Sequence, residues 1–180
     1  MIYRFLILSD EVDTFKREIQ ISAQATFFDF QQAITDATGY DAKQLYTFYI
    51  CGNDWSKETE ITQIEMDTSS EEDCYTMDKT LLEDLLEEER QKLLFVFDQL
   101  SDRVFFIELR EIITGKDIDK PLCSKSVGDP PVQFIDYDTA IKGTNLDLDE
   151  DFYGDDEYDD EELDDLEKGS FDDDPLFDRY

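Results

Sequence analysis

Residues 136–180 hold 20 Asp and Glu against three basic residues, Lys142, Lys168 and Arg179. Carboxylates at that density repel one another, and the apolar area between them is too small to offset the entropy of ordering the chain. Residues 136–180 are therefore expected to be a disordered acidic tail, with the fold confined to residues 1–135. Rings and leucines are threaded through the acid: Phe152, Tyr153, Tyr158, Leu163, Leu166, Phe171, Leu176, Phe177 and Tyr180. A segment that only solubilises has little need of aromatics. Acid interleaved with rings suits docking on a basic, partly apolar surface, where carboxylates steer and rim while rings fill pockets. The candidate partner-binding residues are Phe152, Tyr153, Tyr158, Leu163, Leu166, Phe171 and Phe177. Residues 157–168 have acid at the start, Lys168 at the end and Gly169 beyond, a pattern that a partner can induce to helix.

Charge narrows the partners further. The whole chain has 48 acidic and 16 basic residues, a net of −32, and residues 1–135 keep 28 and 13 of these. Both parts are acidic, so the chain repels DNA, RNA and anionic lipid over roughly 10 Å at moderate salt. Binding through phosphate neutralisation needs Lys and Arg gathered on one surface, and the sequence shows no such cluster. The expected partner is a basic protein, including one that itself handles nucleic acid, with no direct nucleic-acid or membrane contact. A local basic patch around Arg103 and Arg110 could receive the tail.

Three cysteines, Cys51, Cys74 and Cys123, are odd in number and widely spaced, which fits reduced thiols better than a disulfide framework. The opening MIYRFLILSD is too short for a signal core, and no run approaches the ~20 apolar residues of a membrane helix. The expectation is a soluble, cytoplasmic protein.

Within residues 1–135 the periodicities predict an α+β fold: a single domain with a mainly antiparallel sheet and two helices. Ile2–Leu8 and Glu18–Ser22 read as an antiparallel strand pair. Thr26 is placed as an N-cap, Phe27, Phe30, Ala33, Ile34 and Ala37 share one helical face, and Gly39 stops the helix. Leu45–Cys51 and Thr59–Met66 read as strands, and 67–78 as a loop. Thr80 precedes a short helix through Leu86. Lys92–Asp98 and Arg103–Ile113 make a second strand pair with near-continuous apolar content, as central strands have. Pro121, Pro130 and Pro131 mark an irregular closing segment.

Three passages carry a family resemblance. Thr26-Phe27-Phe28-Asp29-Phe30-Gln31-Gln32-Ala33-Ile34, then Gly39-Tyr40-Asp41 and Leu45-Tyr46-Thr47-Phe48-Tyr49-Ile50, form the first. Leu94-Phe95-Val96-Phe97-Asp98 with Asp102 and Phe106-Ile107-Glu108-Leu109 form the second, and Cys123 with Gly128-Asp129-Pro130-Pro131 the third. Together they resemble the plasmid pRiA-type Orf-three-like family, some members of which carry an insertion-sequence passenger (TnpR-like) label. The resemblance covers about residues 1–135 and implies a compact α+β domain. Family members place imidazoles where this chain has Gln44, Tyr46 and Phe106, and the chain has no histidine at all. Any family activity that needs an imidazole base or ligand is absent here, which points to reuse of the domain for recognition.

The remaining chemistry is sparse. Without histidine, a nucleophilic Cys51, Cys74 or Cys123 would need cationic neighbours, and only Cys123, near Lys120 and Lys125, has them in sequence. Cys51 reads as a small core residue. Asp147, Asp149 and Asp151 have calcium-loop spacing, but Gly154 and Tyr158 fall where that loop needs other residues. No glycine-rich phosphate loop is present. No catalytic residue, metal site or cofactor is expected, and the oligomeric state is left open. Trp55, after the turn at Gly52-Asn53-Asp54, reads as a ring packed on the rim of the sheet or as an exposed recognition residue. The competing expectation is a mobile-element accessory factor or enzyme with a site near Asp98, Asp102, Cys123 and Asp129.

Overall fold

A computed structural model describes residues 1–65 and 75–135 of the chain. The chain divides into two units, Met1–Asp136 and Tyr137–Tyr180. The elements of the first unit run β1 (Ile2–Leu8), β2 (Lys16–Ser22), α1 (Phe27–Thr38), β3 (Thr47–Cys51), β4 (Lys57–Thr62), β5 (Tyr75–Thr76), α2 (Leu82–Leu85), β6 (Lys92–Asp98), β7 (Arg103–Ile113) and β8 (Leu122–Val127). The strands form one sheet in the order β5-β4-β3-β6-β7-β1-β2-β8. Every pairing is antiparallel except β4 with β5, which run parallel at Ile61 and Tyr75. The α+β reading with a mainly antiparallel sheet and two helices holds.

The two predicted strand pairs become the middle of this sheet. β1 lies between β2 and β7, with Phe5 opposite Ile19 on one side and Leu109 on the other. Alternation then decides the faces. Tyr3, Phe5, Ile7, Ile19, Ile21, Phe48, Phe95, Phe105, Ile107 and Leu109 point to one side and are buried. The residues between them, among them Arg4, Lys16, Glu18, Tyr49, Lys92, Phe106 and Glu108, take the other side. That side carries ion pairs such as Arg4–Glu111 at 2.8 Å and Arg110–Glu108 at 3.1 Å.

α1 covers the apolar side. Its start is fixed by a reciprocal cap: Thr26 Oγ1 accepts from the Asp29 backbone N–H at 3.1 Å, and Asp29 Oδ2 accepts from the Thr26 N–H at 2.9 Å. Its end is fixed by Gly39 at φ 75°, whose N–H reaches Thr35 O at 2.8 Å. Phe27, Phe30, Gln31, Ile34 and Thr35 are buried against the sheet. Phe30 stacks on Phe5 at 4.3 Å and on Phe48 at 5.4 Å between centroids. Phe95 is the hub beneath, with Tyr46 at 5.0 Å and Phe48 at 4.8 Å.

Three expectations shift. Tyr75–Thr76, inside the segment 67–78 that reads as a loop, pair with Ile61 and Thr62 as β5. Residues 122–127 were expected to be irregular, yet they form β8, paired with β2 from Lys16↔Val127 to Gln20↔Leu122. Its sequence, Leu-Cys-Ser-Lys-Ser-Val, is exposed throughout and shows no apolar alternation, so its pairing comes from register with β2. β4 begins at Lys57 and ends at Thr62, earlier than expected, because the turn after β3 is tight: Gly52 N–H donates to Ser56 O at 3.0 Å.

Candidate functional site

The seven tail residues expected to bind a partner, Phe152, Tyr153, Tyr158, Leu163, Leu166, Phe171 and Phe177, lie outside the described residues, as do Cys74 and the 1-3-5 aspartates. What the structure does place is the point from which that segment departs. Residues 131–135 run along one end of the domain and are bolted to it alternately. Tyr40 donates its phenolic hydrogen to Pro131 O at 2.6 Å. Gln133 accepts from the Asp41 backbone N–H at 2.8 Å and donates to the Tyr46 hydroxyl at 2.9 Å, while that hydroxyl donates to Asp41 O at 2.7 Å. Val132, between these bonded positions, and Phe134, just after them, remain exposed.

Arg103 organises the same end. It is buried at the start of β7, with its guanidinium 4.8 Å above the centroid of Phe97. Nε and Nη2 donate to the two carboxylate oxygens of Glu11 at 2.8 and 2.7 Å. Nη1 reaches Gln133 O at 3.2 Å, and Nη2 also reaches Val132 O at 2.7 Å. Asp98 Oδ2 lies 3.7 Å from Nη1. The bonds to Glu11 hold the guanidinium charge even more firmly than usual. Burial pushes the phenols the other way from ionisation: Tyr46 is raised to about 12, and Tyr40 is raised further. Both phenols are therefore neutral donors here, to Pro131 O and Asp41 O.

Arg103 and Arg110 do not make a basic patch. Arg103 is buried and neutralised by Glu11, and Arg110 stands exposed beside Glu108. Of the residues in the competing enzymatic expectation, Asp98 and Asp102 flank the β6–β7 turn and each faces a cation, Arg103 and Lys57 respectively. Cys123 lies on β8, and β1 and β2 intervene between it and β7, a separation of about 14 Å at the usual strand spacing. The two described thiols meet backbone carbonyls, Cys51 Sγ donating to Tyr49 O at 3.6 Å and Cys123 Sγ to Lys125 O at 3.4 Å. Burial raises the Cys51 thiol, as suits a core residue. Among the described residues no group of three or more Cys, Asp or Glu is arranged to hold a metal ion, and no helix is long and apolar enough to cross a membrane.

Trp55 sits at φ 68°, the left-handed conformation that glycine serves best in such a hairpin bend. Its ring meets the Phe106 ring edge-on at 4.9 Å, and Lys92 Nζ lies 4.9 Å over it. The side chain is thus a partly buried cover on the rim of the sheet. Backbone strain and ring packing oppose each other at this position. Trp55→Gly is expected to be about 1 kcal/mol more stable than Trp55→Ala in urea unfolding, since both lose the ring and only glycine relieves the strain. Equal stabilities of the two variants would show that the bend is unstrained.

Residues 2–136 match the family described as plasmid pRiA4b ORF-3-like protein. This chain belongs to that family. Its fold is similar to the crystal structure of MM3350, a protein of unknown function from Methanosarcina mazei Go1, with a TM-score of 0.54 and 16% identity over 69% of this chain and 68% of that one. A comparison with curated proteins finds no match. The family's fold is present, then, in a chain that carries Gln44, Tyr46 and Phe106 and no imidazole. Tyr46 is accounted for by the root network, where its hydroxyl joins Asp41 to Gln133.

Proposed function

We propose that this chain is a non-enzymatic, cytoplasmic interaction protein whose segment 136–180 binds a basic surface on another protein, such as one that handles nucleic acid. The observation that carries the reading is the composition of that segment, 20 acids against three bases with aromatic and leucine residues spaced among them. Phe152, Tyr153, Tyr158, Leu163, Leu166, Phe171 and Phe177 supply the apolar contacts, and the carboxylates supply steering. Hydrogen bonds with Arg103, Tyr40, Tyr46 and Asp41 tie residues 131–133, just before that segment, to the folded domain.

The test is capture of basic proteins by the full-length chain and by a variant with Phe152, Tyr153, Tyr158, Phe171 and Phe177 all changed to alanine. Wild-type capture is expected to fall at least about tenfold between ~0.1 and ~0.5 M salt. The alanine variant keeps its charge and is expected to lose the specific partners at the lower salt. Capture indifferent both to salt and to the five rings would overturn the proposal.

A further inference from the structure

Among the described residues, the side of the sheet that ends in β8 combines an uncovered strand edge with a groove. β8 is the outermost strand there, and all six of its residues are exposed. α1 runs beside it, and a cavity of about 380 Å³ lies between α1 and Cys123 at the start of β8. A second, of about 300 Å³, adjoins it between the end of β2, the start of α1 and residues 118–121, and the two share Asp29, Lys120 and Pro121. Cys123 lines the larger one from β8, opposite Ala33, Asp36 and Ala37 of α1.

Arg17 sets the width of this groove. Its Nε donates to Ala37 O at 2.9 Å at the end of α1, and its Nη1 donates to Val127 O at 2.8 Å and Gly128 O at 3.0 Å at the end of β8. The side chain is buried with its guanidinium 4.6 Å over Phe15, so helix and strand are held apart at a fixed distance. A strand edge beside a helix is the geometry in which extended peptides add to a sheet.

Charge selects the occupant. Asp29, Asp36 and Asp119 line the cavities with Lys120, and the Arg17 guanidinium is directed at backbone carbonyls, in a chain of net charge −32. Pairing β8 with β8 of a second copy would bring two such chains together and is opposed by the same charge. Pro121 precedes the strand and so leaves the main-chain groups of 122–127 in place, and Lys125 stands across from Glu18.

We infer that the groove between α1 and β8 receives an extended, basic segment of a partner polypeptide as a ninth strand, its cationic side chains directed to Asp29 and Asp36. This contact lies on the folded domain and is independent of residues 136–180.

The probe is a capped heptapeptide of alternating lysine and valine, added to the full-length chain. Because the acidic segment attracts any polycation, the readout is residue-resolved hydrogen exchange. Amides of 122–127 that face away from β2 are expected to slow at least about tenfold with the peptide. They should not respond to the aspartate–valine counterpart. Asp36→Lys, an exposed change on α1, is expected to weaken this protection about tenfold while any effect on residues 136–180 persists. Absence of protection at 122–127, or protection unchanged in Asp36→Lys, would overturn the inference and leave the reading of the acidic segment standing. Protection that grows with protein concentration without peptide would assign the edge to a second copy and likewise overturn it.

Discussion

Phe95→Ala is expected to lower the unfolding free energy by about 4 kcal/mol, the largest effect of any single truncation in this domain. The residue sits in the middle of β6 with no solvent exposure. Its ring meets Tyr46, Phe48 and Phe105, and through Phe48 it touches the stack that binds α1 to the sheet. Loss of the ring removes transfer free energy and leaves a hole that rigid neighbours cannot close, since aromatic rings pack in few arrangements. Phe95→Leu keeps most of the volume and is expected to cost only about 1.5 kcal/mol. Against a total of about 5–15 kcal/mol for a domain of this size, the alanine variant is left marginal. Urea unfolding followed by fluorescence measures both. A cost below about 1.5 kcal/mol for alanine would mean that Phe95 is not the hub of the core.

The features legible in the sequence were the local ones. The cap at Thr26 and Asp29, the apolar face of α1 and its stop at Gly39 follow from spacings within one segment, and the structure reproduces each. The strand pairs β1–β2 and β6–β7 are also adjacent in sequence, and their apolar patterns are strong. The pairings that assemble the sheet, β7 on β1 and β6 on β3, join distant segments and leave no local trace. β8 escaped because an exposed edge strand needs no apolar alternation; Arg17, over a hundred residues away, ties its end in place. Gln133 and Tyr40 escaped for a related reason. A glutamine among prolines and a tyrosine after a glycine look like loop residues until the fold sets them facing one another's neighbours. In the sequence Arg103 shows only its charge. Its partner Glu11 lies 92 positions away, so its burial and neutralisation were not visible.

Arg103→Met is expected to destabilise the domain by about 3 kcal/mol. The substitution keeps an apolar chain over Phe97 and removes the charge, so the cost isolates the polar contacts. Removing one member of a buried pair costs about 3–5 kcal/mol because the other charge is stranded. Glu11 is a third exposed and can recover some hydration, which places the figure at the low end. Val132 O and Gln133 O lose their donor at the same time. Glu11→Gln keeps one carbonyl acceptor for the guanidinium and is expected to cost about half as much. The effect is also directional in the chain: with Arg103 gone, residues 132–135 are held only through Pro131 and the Gln133 side chain, so cleavage by chymotrypsin after Phe134 is expected to accelerate at least about tenfold. Salt-dependent capture of basic proteins should be unchanged in Arg103→Met, because the proposed contact lies beyond Asp136. If capture falls together with stability, the root of the acidic segment is part of the binding surface, and its attachment to the domain is then a requirement for recognition.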